Sequence, residues 1–145
     1  MKKGFTLIEL LVVIAILGLL AAVGLGSFRT SQLKSRDSKR KSDLSQIQKA
    51  LEMYYNDHGQ YPDVGDYPAG GSAFEDANNT LYMKEMPTDV KYGDYSYETD
   101  GTYYKIYARL ENERDPRIPD GGSYPGTTCG DDECNCGVSS SNINL

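Results

Sequence analysis

Cys129, Asp131, Asp132, Glu133, Cys134 and Cys136 form the densest group of reactive and metal-binding side chains in the sequence, in the run CGDDECNC. Cys134 and Cys136 are too close in regular backbone to bridge each other comfortably. The expected disulfide therefore runs from Cys129 to one of them, pinning a polar tail, with the third thiol free or intermolecular. The spacing C-x4-C-x-C matches no common zinc site and lacks an evident fourth ligand. Calcium is the better metal candidate, because Asp131, Asp132 and Glu133, with Asp120, supply hard oxygens. The plainest reading is a solvated acidic loop, with no cofactor required. A second notable carboxylate is Glu9. It sits five residues into a run, Phe5 to Phe28, otherwise broken only by Thr6, Ser27 and three glycines. An unpaired charge in such a run costs on the order of a few kcal/mol, so it calls for a partner. No Ser-His-Asp pattern, phosphate-cradling glycine loop or metal-binding His pair is present, and catalysis is not expected.

The apolar run would span a bilayer core of roughly 30 Å as a helix. No strong breaker follows until Gly59, so the spacing predicts one helix from Phe5 to about Asn56. Its second half, 29–56, carries Leu44, Ile47, Leu51 and Tyr54 at i, i+3, i+7 and i+10, a stripe that should pack on the head's own sheet. Lys39, Arg40, Lys41, Asp43 and Ser45 lie around the rest of the helix. The segment Ser31 to Ser42 is polar enough to be an exposed neck. Residues 29–49 hold seven basic groups against Asp37 and Asp43, while 50–145 are strongly acidic, within a net charge of −6. The basic stretch suits a solvated face near anionic lipid better than a nucleic-acid site.

Residues 57–145 read as one small head. His58-Gly59-Gln60-Tyr61-Pro62 should end the helix, with His58 a solvent-facing cap residue. Residues 62–73 read as loop, and 74–86 as a segment holding a short helix that places Leu81, Tyr82 and Met86 on the core before Pro87. Tyr92–Thr99 and Thr102–Leu110 flank Asp100-Gly101, which predicts a hairpin with a two-residue type I′ turn. On the second strand Tyr104, Ile106, Ala108 and Leu110 share the inward face. Two strands are marginal alone, so a third strand or an ordered C-terminal segment should lie beside them. Twelve tyrosines and no tryptophan suit a half-polar sheet.

The start of the chain carries a family resemblance. Met1, Lys2, Lys3 and Gly4, followed by Phe5, Thr6, Leu7, Ile8, Glu9, Leu10 and the apolar helix, resemble the leader of type IV pilins and type II secretion pseudopilins. The likeness covers residues 1 to about 30, and more loosely YYNDHGQYP at 54–62. It implies an α+β fold, a long N-terminal helix packed on a small antiparallel sheet. It also implies cleavage after Gly4 by a prepilin peptidase, methylation of the new amine of Phe5, and a filament in which Glu9 pairs with the Phe5 amine of a neighbouring subunit. The implied partners are further copies, other pilins, an inner-membrane assembly platform with its ATPase, and membrane lipid. The implied location is the cytoplasmic membrane, head outside the cytoplasm, then a cell-surface or periplasmic filament. A type II secretion pseudopilin is the alternative within the family.

In the family the helix partly melts between glycines and a downstream proline; here Gly18 and Gly24 are present, but Gly26 stands where that proline is common. The charge rule opposes the implied orientation, because six basic residues follow the span and only Lys2 and Lys3 precede it. A cleaved secretory signal, with Ala21 and Ala22 near its end, would instead leave an acidic binding module. A metalloenzyme built on the cysteine cluster is the remote option.

Overall fold

A computed structural model of the chain describes residues 4–143 and 145. The expectations for Met1, Lys2 and Lys3 lie outside those residues, as do the side chains of 23–27. The chain divides into two compact units, one ending at Arg36 and one running from Asp37 to Leu145. The first is the opening of helix α1 (Leu7–His58, 52 residues) with the residues before it. From Leu7 to Ala22 its side chains are exposed. Among the described residues no helix is long and apolar enough to cross a membrane.

The second unit is an α+β head. α1 ends where glycine permits it: Gly59 takes φ of 72° and donates its N–H to the Tyr55 carbonyl at 2.8 Å. Leu44, Ile47, Ala50 and Leu51 on α1 are buried, and Tyr54 is half-buried beside them. They meet Tyr104, Ile106, Ala108 and Leu110 in one cluster, the stripe-on-sheet packing that the two periodicities require. Each of the buried leucine and isoleucine side chains contributes roughly 1.5–3 kcal/mol on burial.

The main sheet is antiparallel, in the order β3 (Ser96–Thr99), β4 (Tyr104–Ala108), β7 (Cys136–Ser139). The C-terminal segment thus supplies the third strand. Thr99 pairs with Tyr104, so the hairpin connection has four residues, 100–103, and is not the expected two-residue turn. Side chains decide this. Asp100 Oδ1 accepts the N–H groups of Thr102 and Tyr103, and Thr99 Oγ1 accepts that of Gly101 while donating to the Tyr103 carbonyl. Within the connection only Gly101 has positive φ, whereas a type I′ turn needs two such residues.

The expected helix in 74–86 is absent. In its place β1 (Phe74–Glu75) pairs antiparallel with β2 (Leu81–Met83). Asp76 drives that turn, with Oδ1 accepting the N–H groups of Asn78 and Thr80 and Asn79 at φ 62°. Tyr82 and Met86 still face the core, but Leu81 is exposed. A last small hairpin joins β5 (Thr128–Cys129) to β6 (Asp132–Glu133).

Candidate processing and assembly site

Gly4, Phe5 and Thr6 precede α1 and are not helical; Gly4 is open on every side and Phe5 is 75% exposed. Backbone in that state can enter a peptidase cleft without unfolding anything. Thr6 is the N-cap of α1 and Glu9 its third helical residue. The Thr6 N–H and hydroxyl both donate to Glu9 Oε2, at 2.9 and 2.6 Å. In return the Glu9 N–H reaches Thr6 Oγ1 at 3.4 Å. This reciprocal capping box satisfies two otherwise unpaired N–H groups and puts a carboxylate at the positive end of the helix dipole. The Glu9 carboxylate is exposed, four residues along the chain from Phe5, and can accept a further donor.

The head contains a charged centre that periodicity did not predict. Arg40 is 1% exposed. Its Nε and Nη2 bond the two Asp89 oxygens at 2.5 and 3.2 Å, and its Nη1 bonds Asp37 at 2.7 Å and Glu111 at 2.9 Å. Asp37 also accepts the backbone N–H groups of Glu111 and Asn112 at 2.9 and 2.8 Å. The group therefore ties α1 to the loop before β3 and to the segment after β4. Burial alone disfavours the charged guanidinium, but hydrogen bonds to Asp89, Glu111 and Asp37 outweigh it and hold the pKa above arginine's ordinary value. Nearby, the Tyr95 hydroxyl donates to buried Asp43 at 2.8 Å, and Lys41 is paired with Asp115. Arg40, Asp43 and Asp37 were expected on a solvated face or neck; instead the head's polar groups are buried around them.

Cys129 and Cys134 form a disulfide, and Cys136 is a buried free thiol in β7. The calcium candidates are not assembled. Asp120 and Asp131 are exposed, Asp132 lies 4.0 Å from Arg109, and Glu133 accepts the Ser123 hydroxyl at 2.6 Å. Successive residues of a strand point to opposite faces, which separates Asp132 from Glu133. Among the described residues no three His, Cys, Asp or Glu side chains are grouped to hold a metal. His58 is the exposed last residue of α1, as expected; its Nε2 lies 3.2 Å from both Asp76 Oδ2 and the Tyr82 hydroxyl, and its ring stacks on Tyr54.

Residues 1–25 match the family described as the prokaryotic N-terminal methylation motif. The chain is 32% identical over 108 residues to type II secretion system core protein G of Pseudomonas aeruginosa, covering 70% of this chain and 76% of that protein. It belongs to the type IV pilin and type II secretion pseudopilin family. It is also 32% identical over 121 residues to a type IV major pilin of Neisseria gonorrhoeae, covering 77% of this chain and 72% of the relative. No solved structure matches it significantly.

Two features of this pilin-family chain were missed from sequence, with different signals available. Thr6-x-x-Glu9 ahead of an apolar run is a capping-box pattern and could have been read directly. The Arg40 cluster offered only the i, i+3 spacing of Asp37, because Asp89 and Glu111 lie 49 and 71 residues further on.

Proposed function

We propose that the chain is a prepilin that is cut after Gly4, methylated on the Phe5 amine, and assembled as a structural subunit of a type IV pilus-like filament. The observation that carries this reading is the short exposed segment Gly4–Thr6 set directly before a 52-residue helix whose third residue is Glu9. Before assembly the apolar stretch 5–28 lies in the cytoplasmic membrane, with the leader in the cytosol and the head outside it. In that state the Thr6 cap and the helix dipole accommodate Glu9 near the interface. In a filament core the carboxylate is desolvated, and only pairing with the Phe5 amine of a neighbouring copy offsets that cost. The pairing sets the axial register between subunits.

Prepilin peptidase, the inner-membrane platform and an external ATPase are the partners this reading needs, the last because no nucleotide site was found in the sequence. The type II secretion reading is supported by the match to core protein G over 76% of that protein's length. The test is intact-mass and N-terminal peptide spectrometry of the protein from its native membrane or shed filaments. A mature chain beginning at N-methyl-Phe5 is expected. An N-terminus at Met1, or one beyond Ala22, would overturn both family readings. A partner deletion that abolishes secretion while leaving surface filaments intact would select the pseudopilus.

A further inference from the structure

Strand β7 is an edge of the main sheet, and its outer side faces a trough along α1. Two adjoining cavities of about 420 and 690 Å³ share Ser45 and Gln48 and run from Gly137 past Ser139 to Met53. The Gln48 amide donates to the Ser139 carbonyl at 3.2 Å across the trough. Lys41, Lys49 and Arg117 line it against one acid, Glu52, which already accepts the hydroxyls of Tyr61 and Tyr104. Lys41 is paired with Asp115, whereas Lys49 and Arg117 have no ion pair among the described residues. The trough is thus a cationic cleft beside a strand edge, on a head whose residues 50–145 carry eighteen acidic against six basic groups, Glu52 and Arg117 among them.

The complementary charge is on the same molecule. The β5–β6 hairpin carries Asp131 and Asp132, both exposed, with Asp132 4.0 Å from Arg109, and the Cys129–Cys134 disulfide closes its base. A braced hairpin loses little conformational freedom on docking. Opposite charges on separate patches of one chain generate a heterologous contact, the kind that repeats along an open filament. We infer that the trough between α1 and β7 receives the Asp131–Asp132 hairpin of a second copy of the chain. Lys49 is the ion-pair partner, and the contact links heads independently of the N-terminal helix. The inference rests on the filament reading for its biological setting, but not for its test.

The test mixes full-length chains, one ¹⁴N and one ¹⁵N, in detergent and couples adjacent amines to carboxylates with a carbodiimide. Peptides joining Lys41 or Lys49 to Asp131 or Asp132 with one isotope on each side are expected. Lys49→Glu removes the Lys49 links and should cut the Lys41 links roughly tenfold, and adding Asp131→Lys with Asp132→Lys should give hybrid links between position 49 and positions 131 or 132 with amine and carboxylate exchanged. Absence of hybrid peptides, same-isotope links only, or no response to Lys49→Glu would overturn the inference. So would protection of Lys49 by phosphatidylglycerol vesicles without any hybrid link, which would assign the trough to lipid. Hybrid links from a protein whose N-terminus in its native membrane is Met1 would sink the filament reading alone; N-methylated filaments without them would sink only this contact.

Discussion

Arg40 meets Asp89 through two hydrogen bonds, Nε to Oδ2 at 2.5 Å and Nη2 to Oδ1 at 3.2 Å, across 49 residues of chain. The forked geometry is one that guanidinium provides and ammonium does not. Replacing Arg40 with alanine leaves Asp37, Asp89 and Glu111 without their shared cation in a buried setting. The expected loss is roughly 3–5 kcal/mol of head stability. Arg40→Lys should recover only part of it. Denaturant unfolding of the full chain in detergent, followed by tyrosine fluorescence, measures both.

The same cluster makes the head acid-sensitive. Burial works against the charged forms of Asp89 and Asp115, but hydrogen bonds from Arg40 to Asp89 and from Lys41 to Asp115 hold both pKa values below the ordinary aspartate value. A carboxylate with a depressed folded pKa contributes stability that is complete above its unfolded pKa, about 3.9, and is lost as pH falls through the folded value. Stability should be level from pH 7 to about pH 5 and fall below about pH 4. Asp89→Asn should lower the plateau and flatten the fall, as read from unfolding midpoints against pH.

Alkali acts through the tyrosines. Burial pushes Tyr97 up to about 12, and its hydroxyl donates to the Pro62 carbonyl at 2.8 Å. The unfolded chain releases this proton near pH 10, before the folded chain does, so stability declines as pH rises from about 10 towards 12. Tyr97→Phe should reduce stability at neutral pH by about 1 kcal/mol and weaken the alkaline decline. Thermal melts at pH 8 to 11 give the comparison.

How much of this was legible depends on the range of the contacts. The stripe Leu44, Ile47, Leu51 on α1 and the alternation Tyr104, Ile106, Ala108 on β4 are local patterns, and each pointed to the face that is buried. Arg40 and Asp43 looked like solvated helix positions because their partners, Asp89, Glu111 and Tyr95, come from distant segments. Tyr107 is buried on the opposite face of β4 for the same reason, against Cys129 and Cys134, which reach it only through the C-terminal fold. At 74–86, Pro87 and the spacing of Leu81, Tyr82 and Met86 suggested a helix stop. The Asp76 side chain instead satisfies the N–H groups that a helix would have needed, and two short strands result.

The thiols should separate by access. Cys136 is buried and burial raises its pKa, so it should not react with a disulfide reagent in the native chain and should yield one thiol after denaturation. Opening the Cys129–Cys134 bridge by Cys129→Ser with Cys134→Ser frees a loop of five-residue separation. The loop is short, so the expected cost is about 2 kcal/mol. Thiol counting and denaturant unfolding check both statements.

Glu9 carries two roles that one substitution can divide. As the third helical residue it closes the capping box with Thr6, which glutamine does as well as glutamate. As the partner of a neighbouring Phe5 amine it must be charged, and glutamine cannot replace it there. Glu9→Gln should therefore keep membrane insertion, the first turn of α1 and processing at Gly4, while losing filaments. Thr6→Ala should do the reverse, weakening the first turn by about 1 kcal/mol while leaving the carboxylate to pair. Hydrogen exchange of the amides of Leu7 to Glu9 reads the cap, and sedimentation of sheared filaments reads assembly. Normal filament yield from Glu9→Gln would reduce Glu9 to a helix cap and remove the charge pairing from the assembly mechanism.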